Sequence, residues 1–339
     1  MSDQLNIAVV GATGVVGETM LDILSKRKFP AGKIFALASE RSIGKTVLFG
    51  NRKLKVLDLA TFDFAEADIA LFSAGASVSN IFVPKASLAG CIVIDNTSRF
   101  RYEDEIPLVI TEVNSDKIRD YKKRGIIANP NCSVMQMLVA LKPIYDAVGI
   151  KRINVATYQA VSGAGKTAIS ELIHQTSSLL NGRALDLKDS KQIAFNAIPH
   201  IDEFQDNGYT KEEMKMVWET TKILDDDDIV VNPTAVRIPV FFGHSEAVHI
   251  ETKKKISSTD ACKLLKNAPG VKLINGLEIG KYPTAVTEGS GKDSVYVGRV
   301  REDISHPSGI NMWIVSDNIR KGAALNSVQI AEILVRKYL

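Results

Sequence analysis

Cys132 is placed to do chemistry. A short apolar strand, Ile126-Ile127-Ala128, leads through the turn Asn129-Pro130-Asn131 to this cysteine, which opens a helical run containing Val134, Met135, Leu138, Val139 and Leu141. A thiol at a helix N-terminus meets the positive end of the helix dipole, which favours the nucleophilic thiolate. Its neighbours Asn131 and Ser133 are polar, whereas Cys91 sits inside an apolar strand and Cys262 in a polar helix, where a structural role suffices. Near the N-terminus, Gly11-Ala12-Thr13-Gly14-Val15-Val16-Gly17 follows the first strand and opens the first helix. Glycines there let the backbone approach a pyrophosphate, whose charge meets the free N–H groups of the helix start. A dinucleotide turn followed by an activated cysteine points to an acyl group captured as a thioester and reduced by hydride.

A thiol that attacks an acyl group needs a proton acceptor within reach. Of the five histidines, His174 on a helix, and His200 and His306 beside loop prolines, read as surface or capping residues. His244 and His249 share Gly243-His244-Ser245-Glu246-Ala247-Val248-His249, and strand alternation sets them on opposite faces. The H-x-E-x-x-H spacing is not a zinc motif, and no metal site is expected. His244, at the break after Phe241-Phe242-Gly243, is the candidate acid/base. Arg237 lies seven residues earlier and would face the other way in an unbroken strand, but Pro239 and Gly243 offer a bend that could bring both into one pocket.

The end of the second strand reports which dinucleotide is used. Arg41, flanked by Ser39 and Ser42, suits the 2′-phosphate of NADP, while Glu40 is a contrary signal towards NAD. The run Ala160-Val161-Ser162-Gly163-Ala164-Gly165-Lys166-Thr167 comes close to a P-loop. Ala160 replaces its first glycine and no strand ending in an acid follows, so a nucleoside triphosphatase is only the runner-up. The other readings are a plain turn capping the helix from Lys166, or a turn whose Ser162 and Gly163 touch the nicotinamide end of the cofactor.

The elements that must position these residues fall into two groups. Up to residue 131, strands at 5–10, 34–39, 54–59, 69–73, 91–95, 109–110 and 126–128 alternate with helices at 15–28 and 78–88, the second read as helix despite Pro84, which is a candidate break. Apolar strands alternating with helices predict a parallel sheet covered on both faces. Beyond Cys132 the pattern becomes α+β: a strand at 153–161, helices over Lys166–Leu180 and Lys211–Leu224, and long strands within 229–251, 294–301 and 312–315 that look antiparallel. The segment 181–206 is irregular and polar, and a final helix over 319–339 is expected to pack back on the first domain. The predicted fold is therefore α/β. A Rossmann-type dinucleotide-binding domain (1–131 with the helix 318–339) is joined to an α+β catalytic and dimerisation domain (132–317) whose sheet is mainly antiparallel.

Composition removes several function classes. The 339 residues are 45% hydrophobic and 24% charged, with a net charge of +3 and no clustered basic face, so no nucleic acid partner is expected. No apolar run is long enough to span a membrane, and Met-Ser-Asp-Gln-Leu-Asn has no basic leader region, so neither a membrane nor a signal peptide is expected. Three widely spaced cysteines imply no disulfide framework and a reducing, cytoplasmic location.

Taken together, the segments resemble the aspartate-β-semialdehyde dehydrogenase family over essentially the whole chain. They are Gly11 to Gly17, Asp95-Asn96-Thr97-Ser98-Arg99, Asn129-Pro130-Asn131-Cys132-Ser133, Gln159 to Gly165, Arg237-Ile238-Pro239-Val240 through His244, and Asp317-Asn318 with the C-terminal helix. No departure falls on a catalytic position. The resemblance implies reduction of L-aspartyl 4-phosphate by NADPH, releasing phosphate and L-aspartate 4-semialdehyde, on the branch to lysine, diaminopimelate, methionine and threonine. It implies Cys132 as nucleophile, His244 as the acid/base that takes the thiol proton and returns one, and Gln159 placing the thioacyl group. Arg237 would bind the substrate carboxylate and Glu212 its ammonium, with Arg99, Asn131 and Lys215 holding phosphate. Glu213, Glu219 and Lys222 stand close by as alternatives to Glu212 and Lys215. NADP contacts would come from Gly11, Thr13, Gly14, Val15, Val16, Ser39, Arg41, Ser42, Ser162, Gly163 and Asn318. The assembly implied is a homodimer or dimer of dimers built through the second domain. A related thioester-forming reductase, such as one for N-acetylglutamyl phosphate, is the alternative. The Asn-Pro-Asn-Cys flank and the Arg-x-Pro-Val segment speak against it.

Overall fold

The computed structural model describes residues 5–187 and 191–339. Residues 1–4 of the leader reading and 188–190 of the irregular segment lie outside the described residues. The chain divides into two compact units, one running up to Asn131 and rejoined by Ala323–Leu339, the other spanning Cys132–Gly322.

The first unit begins with β1 (Leu5–Val10), α1 (Val15–Lys26) and β2 (Ala31–Ala38). It continues with β3 (Thr46–Phe49), β4 (Arg52–Asp58), β5 (Ile69–Phe72), α2 (Ala76–Leu88), β6 (Ile92–Asp95), α3 (Thr111–Asn114) and β7 (Ile126–Ala128). Its sheet has the order β3-β4-β2-β1-β5-β6-β7 and is parallel except for the β3–β4 pair. Apolar strands such as Ile69–Phe72 are buried on both faces, as expected of a parallel sheet between helices. Met20, Leu21 and Leu24 of α1 join Ile7, Val9 and Ile94 of the sheet and Val328 and Leu334 of the C-terminal helix in one core. That helix, Leu325–Lys337, is fastened by Asn326, whose Nδ2 donates to the Val109 carbonyl at 2.8 Å and to Asn129 Oδ1 at 2.6 Å.

Three expectations need correction here. The strand expected at 109–110 is only a bridge from Leu108 to Ala128, because the chain turns directly into α3. Pro84 does not break its helix: α2 is continuous with the proline inside it. The antiparallel edge strand β3 was not anticipated, since its partly exposed residues alternate without a long apolar run.

The second unit comprises α4 (Cys132–Val148), β8 (Ile150–Gln159), α5 (Lys166–Leu180), α6 (Lys211–Leu224), β9 (Val230–Arg237) and β10 (His244–Thr252). It ends with α7 (Ser258–Asn267), β11 (Val271–Leu273), β12 (Val295–Glu302) and β13 (Gly309–Ser316). The sheet runs β11-β12-β13-β10-β8-β9. Its central pairings are antiparallel, whereas β8–β9 and β11–β12 are parallel, so the sheet is mixed. α6 starts where the sequence predicts because Thr210 and Glu213 form a reciprocal capping box. α4 packs on one face of the sheet, against β8, β10, β12 and β13. No helix among the described residues is long and apolar enough to cross a membrane.

Candidate active site

Strand register assembles the second unit's polar cluster. β9 runs parallel to β8, so the last residues of both, Arg237 and Gln159, stand side by side. β10 runs antiparallel to β8 and therefore begins where β8 ends, with His244 paired to Ser316 at the end of β13. The connection from Arg237 to His244 is bent at Gly243, whose φ is 92° and where a Cβ would lie 2.6 Å from the Ala285 carbonyl oxygen. This bend is what lets Arg237 and His244 converge. A Cβ built on Gly163 would sit 3.3 Å from Arg237 Nη1 and 3.5 Å from His244 Cε1, so both side chains meet the Gly163 turn.

Cys132 is half-buried and is the first residue of α4. By contrast Cys91 is buried, and burial followed by the charge of Asp68 pushes its thiol up to about 12, so it is inert. Next to Cys132, Ser133 Oγ accepts from Gln159 Nε2, which also donates to Glu212 Oε1 at 3.0 Å. Gln159 Oε1 is buried with no partner among the described residues. Lys215 bridges Glu212 at 2.9 Å and Asp202 at 2.6 Å. Burial opposes the Lys215 ammonium, but the two carboxylates outweigh it and raise its pKa. Arg237 Nη1 donates to the Ala160 carbonyl at 2.7 Å. Burial pulls its guanidinium down, against the pull of Glu212 and Cys132. The arrangement therefore offers a thiol, a half-buried guanidinium and a carboxylate–ammonium pair, which suits a small zwitterionic acyl substrate.

The rival residues sort themselves out. The Glu213 carboxylate accepts from the Thr210 and Ala235 amides and is structural, leaving Glu212 as the carboxylate on Gln159. Asn318 bridges the site: its Nδ2 donates to Ser162 Oγ at 3.0 Å and its Oδ1 accepts from the Gly243 amide at 2.9 Å. His249 lies on the outer face of the sheet, between Asn154 and Asp303, and is no part of the cluster.

His244 makes a backbone contact that the sequence did not signal. It is buried, and its Nδ1 accepts the Ala160 amide hydrogen at 3.0 Å. A ring nitrogen that accepts from an N–H cannot itself carry the proton, so the neutral ring is protonated at Nε2. Burial first, then Arg237, lower its pKa to about 3, with Glu212 opposing.

In the first unit, the turn after β1 fits a dinucleotide. Gly11 has φ 84° and its Cβ would lie 2.9 Å from the Ser73 backbone, while a Cβ at Gly17 would strike the Gly11 carbonyl at 2.2 Å. Gly14, the N-cap of α1, has no side chain to bond the first turn, which suits an anion at the helix start. Thr13 Oγ1 lies 3.3 Å from Ser42 Oγ, which brings the turn together with the short helix Glu40–Ser42 where Arg41 is exposed. Glu40 is exposed as well. Arg99, stacked on Phe100, donates to Asn80 and Glu103 within this unit, and Asn131 is buried at the unit's end.

Sequence reasoning missed Asp202, the Ala160 amide, the buried Glu246 and Gly322. A Cβ on Gly322 would lie 2.7 Å from Cys132 Cβ. Glu246, two residues beyond His244, is fully buried; burial drives its carboxyl well above the ordinary range, with only Gln136 of α4 opposing. Only the proximity of Glu246 to His244 in sequence could have signalled any of these.

Comparison with known proteins identifies the family. Residues 6–121 match the family model of the semialdehyde dehydrogenase NAD binding domain, and residues 141–321 that of the semialdehyde dehydrogenase dimerisation domain. An aspartate-semialdehyde dehydrogenase of Legionella pneumophila is 64% identical over 100% of this chain and 98% of its own. A crystal structure of aspartate semialdehyde dehydrogenase II from Vibrio cholerae, complexed with ASA, superposes with a TM-score of 0.97 at 58% identity over 100% of both chains. A Candida albicans aspartate semialdehyde dehydrogenase, solved with NADP, has a TM-score of 0.74 at 25% identity over 99% of this chain and 100% of its own. The chain belongs to the aspartate-semialdehyde dehydrogenase family.

Proposed function

We propose that the protein reduces L-aspartyl 4-phosphate to L-aspartate 4-semialdehyde and phosphate with NADPH, through a thioester on Cys132, in the supply of lysine, diaminopimelate, methionine and threonine. The observation that carries this reading is the half-buried Cys132 at the start of α4, with Arg237, Gln159 and Glu212 gathered beside it. The Cys132 thiolate attacks the acyl carbon, the C–S bond forms, and the C–O bond to phosphate breaks. Phosphate takes up a proton from solvent. Arg237 holds the substrate carboxylate and Glu212, steadied by Lys215, its ammonium. Gln159, fixed by Ser133 and Glu212, orients the acyl group. Arg99, Asn131 and Lys215 are assigned to phosphate. Collapse of the reduced adduct breaks the C–S bond and returns the thiolate with free aldehyde.

NADPH, when bound, supplies the hydride. Gly11, Thr13, Gly14, Val15 and Val16 would hold its pyrophosphate, and Ser39, Arg41 and Ser42 its 2′-phosphate, with Ser162, Gly163 and Asn318 towards the nicotinamide. The open glycine turn and the Thr13–Ser42 contact support this fit, as does the NADP-bound Candida relative. The outer face of the six-stranded sheet, with Tyr158, Trp313 and Ala247 half-exposed on the side away from α4, is the proposed homodimer surface.

The experiment is trapping by mass spectrometry after mixing the protein with the semialdehyde and NADP in limiting phosphate. An aspartyl adduct on Cys132, absent from Cys132→Ala, is expected. Full turnover by Cys132→Ala, or turnover of other aldehydes in preference, refutes the reading.

A further inference from the structure

We propose that Asp202 is a specificity-determining residue of the substrate site: by sharing the Lys215 ammonium with Glu212 it leaves that cluster one negative charge in excess, which selects an acyl substrate bearing an α-ammonium. This deepens the proposed function and rests on its assignment of Glu212 to the substrate ammonium.

The position of Asp202 is built into the loop before α6. Its φ is 69°, a left-handed conformation that Asp and Asn adopt more readily than other side chains. Its Oδ1 accepts from the Glu203 amide at 2.9 Å, and its Oδ2 accepts from Lys215 Nζ at 2.6 Å. The loop is tied down on both sides of this turn. Before it, Ile198 exchanges two backbone bonds with Arg237, at 2.9 and 2.8 Å. After it, the Lys211 amide donates to the Glu203 carbonyl at 2.7 Å, and Phe204 bridges to Thr210, the N-cap of α6. One tie is to the strand end that carries Arg237, the other to the helix that carries Glu212 and Lys215.

The charge count explains why a second carboxylate is useful. Lys215 lies one turn after Glu212 on α6 and bonds it at 2.9 Å, so these two alone would form a neutral pair. Arg237, the other cation that Glu212 feels, is assigned to the substrate carboxylate. A neutral pair offers a substrate ammonium little net attraction. Asp202 places a second negative charge on the same lysine. Burial pushes its carboxyl up, but the hydrogen bond and charge of Lys215 outweigh that and hold it below the ordinary range, so it stays ionised. The side chains of Lys215 and Glu212 are only 12% and 10% exposed and that of Asp202 29%, so water screens the excess charge in part and not fully. An aldehyde of the same length without the ammonium gains nothing from that charge, and its own carboxylate is repelled by it.

The test is steady-state kinetics of the full chain with NADP and phosphate. It compares L-aspartate 4-semialdehyde with succinate semialdehyde, the same aldehyde without its α-ammonium. The inhibition constant of succinate semialdehyde against the aspartate compound is readable whether or not it is turned over. Asp202→Asn keeps an oxygen for the Glu203 amide and tolerates φ 69°, and Asp202→Gly adopts that φ without strain, so both variants should fold. Each is expected to raise KM for aspartate semialdehyde about five- to tenfold, with kcat changed less than about twofold. The inhibition constant of succinate semialdehyde should stay unchanged or fall. An equal rise in both constants marks a merely structural residue and overturns the proposal, as does no change in either. A wild type that fails to turn over aspartate semialdehyde brings down the proposed function and this inference with it. Normal wild-type turnover with variants that show no split between the two aldehydes overturns this inference alone.

Discussion

Gly322→Ala tests how tightly the nucleophile is held. The ideal Cβ at 322 lies 2.7 Å from Cys132 Cβ and 3.3 Å from its Cα. Carbon atoms in contact prefer about 3.5–4.0 Å, so roughly 1 Å of movement is required. The glycine cannot easily supply it. Asp317 Oδ1 accepts from the Ile319 and Arg320 amides, both at 2.8 Å, and its Oδ2 from the Gly291 amide at 2.7 Å. The Asp317 carbonyl accepts from Gly322 itself at 3.1 Å. Cys132, half-buried at the first position of its helix, then takes most of the displacement.

A misplacement of about 1 Å in a reacting group costs on the order of 100-fold in rate, or about 2.7 kcal/mol of barrier. The expected result for Gly322→Ala is a kcat lowered about 100-fold with KM changed only a few-fold, because Arg237 and Glu212 stay in place. Overpacking should also lower folding stability by about 1–3 kcal/mol, which a urea titration measures separately. The rate constant for alkylation of Cys132 by iodoacetamide is the decisive assay, since it reports the thiol without substrate. Alkylation and kcat both within threefold of wild type, in folded protein, would refute the steric reasoning.

Three further outcomes are expected. Glu246 is protonated when folded and ionised when unfolded above its ordinary 4.5, so its contribution is complete below 4.5 and is lost as the pH rises towards the folded value. Glu246→Gln should therefore gain stability over wild type by about 1.4 kcal/mol per pH unit above 4.5 until the folded value is reached, and urea titrations at acid and alkaline pH that differ equally would contradict this. Lys215→Met takes the ammonium away from the buried Glu212 and the exposed Asp202; a stability loss of about 1–3 kcal/mol and a raised KM for the semialdehyde are expected, and unchanged values would remove the ion pair from the site. Arg41→Ala should raise KM for NADPH far more than for NADH, and equal effects measured by steady-state kinetics would overturn the NADP assignment.

What could be read from the sequence was local. The Lys166–Leu180 and Lys211–Leu224 helices are observed at the bounds read from the sequence, the structure adding the Thr210–Glu213 capping box at the start of the second. The start of α4 at Cys132 is marked in the same way, by a proline turn meeting an apolar helix. What escaped depends on contacts across the chain. Pro84 looked like a break because propensity ignores the sheet that holds α2 in place, and β3 was too short and too exposed to register. The convergence of Arg237 and His244 hung on one glycine at φ 92°, which the sequence offered only as a possibility. Nothing in the residue string places the Ala160 amide against a ring 84 residues later, and that contact orients the His244 ring.

Register explains why such a site tolerates few alternatives. Gln159 ends β8, Arg237 ends β9, His244 opens β10, and Ser316 ends β13. Four strands bring their functional groups to one rim only if β9 runs parallel to β8 while β10 runs against both β8 and β13, which is the mixed pairing observed. Slipping β10 by one residue would turn His244 to the outer face and bring Ser245 inward, since alternate residues point to opposite faces. The buried Glu246 shares the inner face with His244, and a slip would expose it as a free carboxylate, relieving its burial. Glu246 therefore weakens the sheet's register at the strand the histidine depends on. Opposing it, the bend at Gly243 and the Asn318 bond to the Gly243 amide pin the first residue of β10 from outside the ladder. Precision at His244 comes from these two anchors more than from the sheet itself.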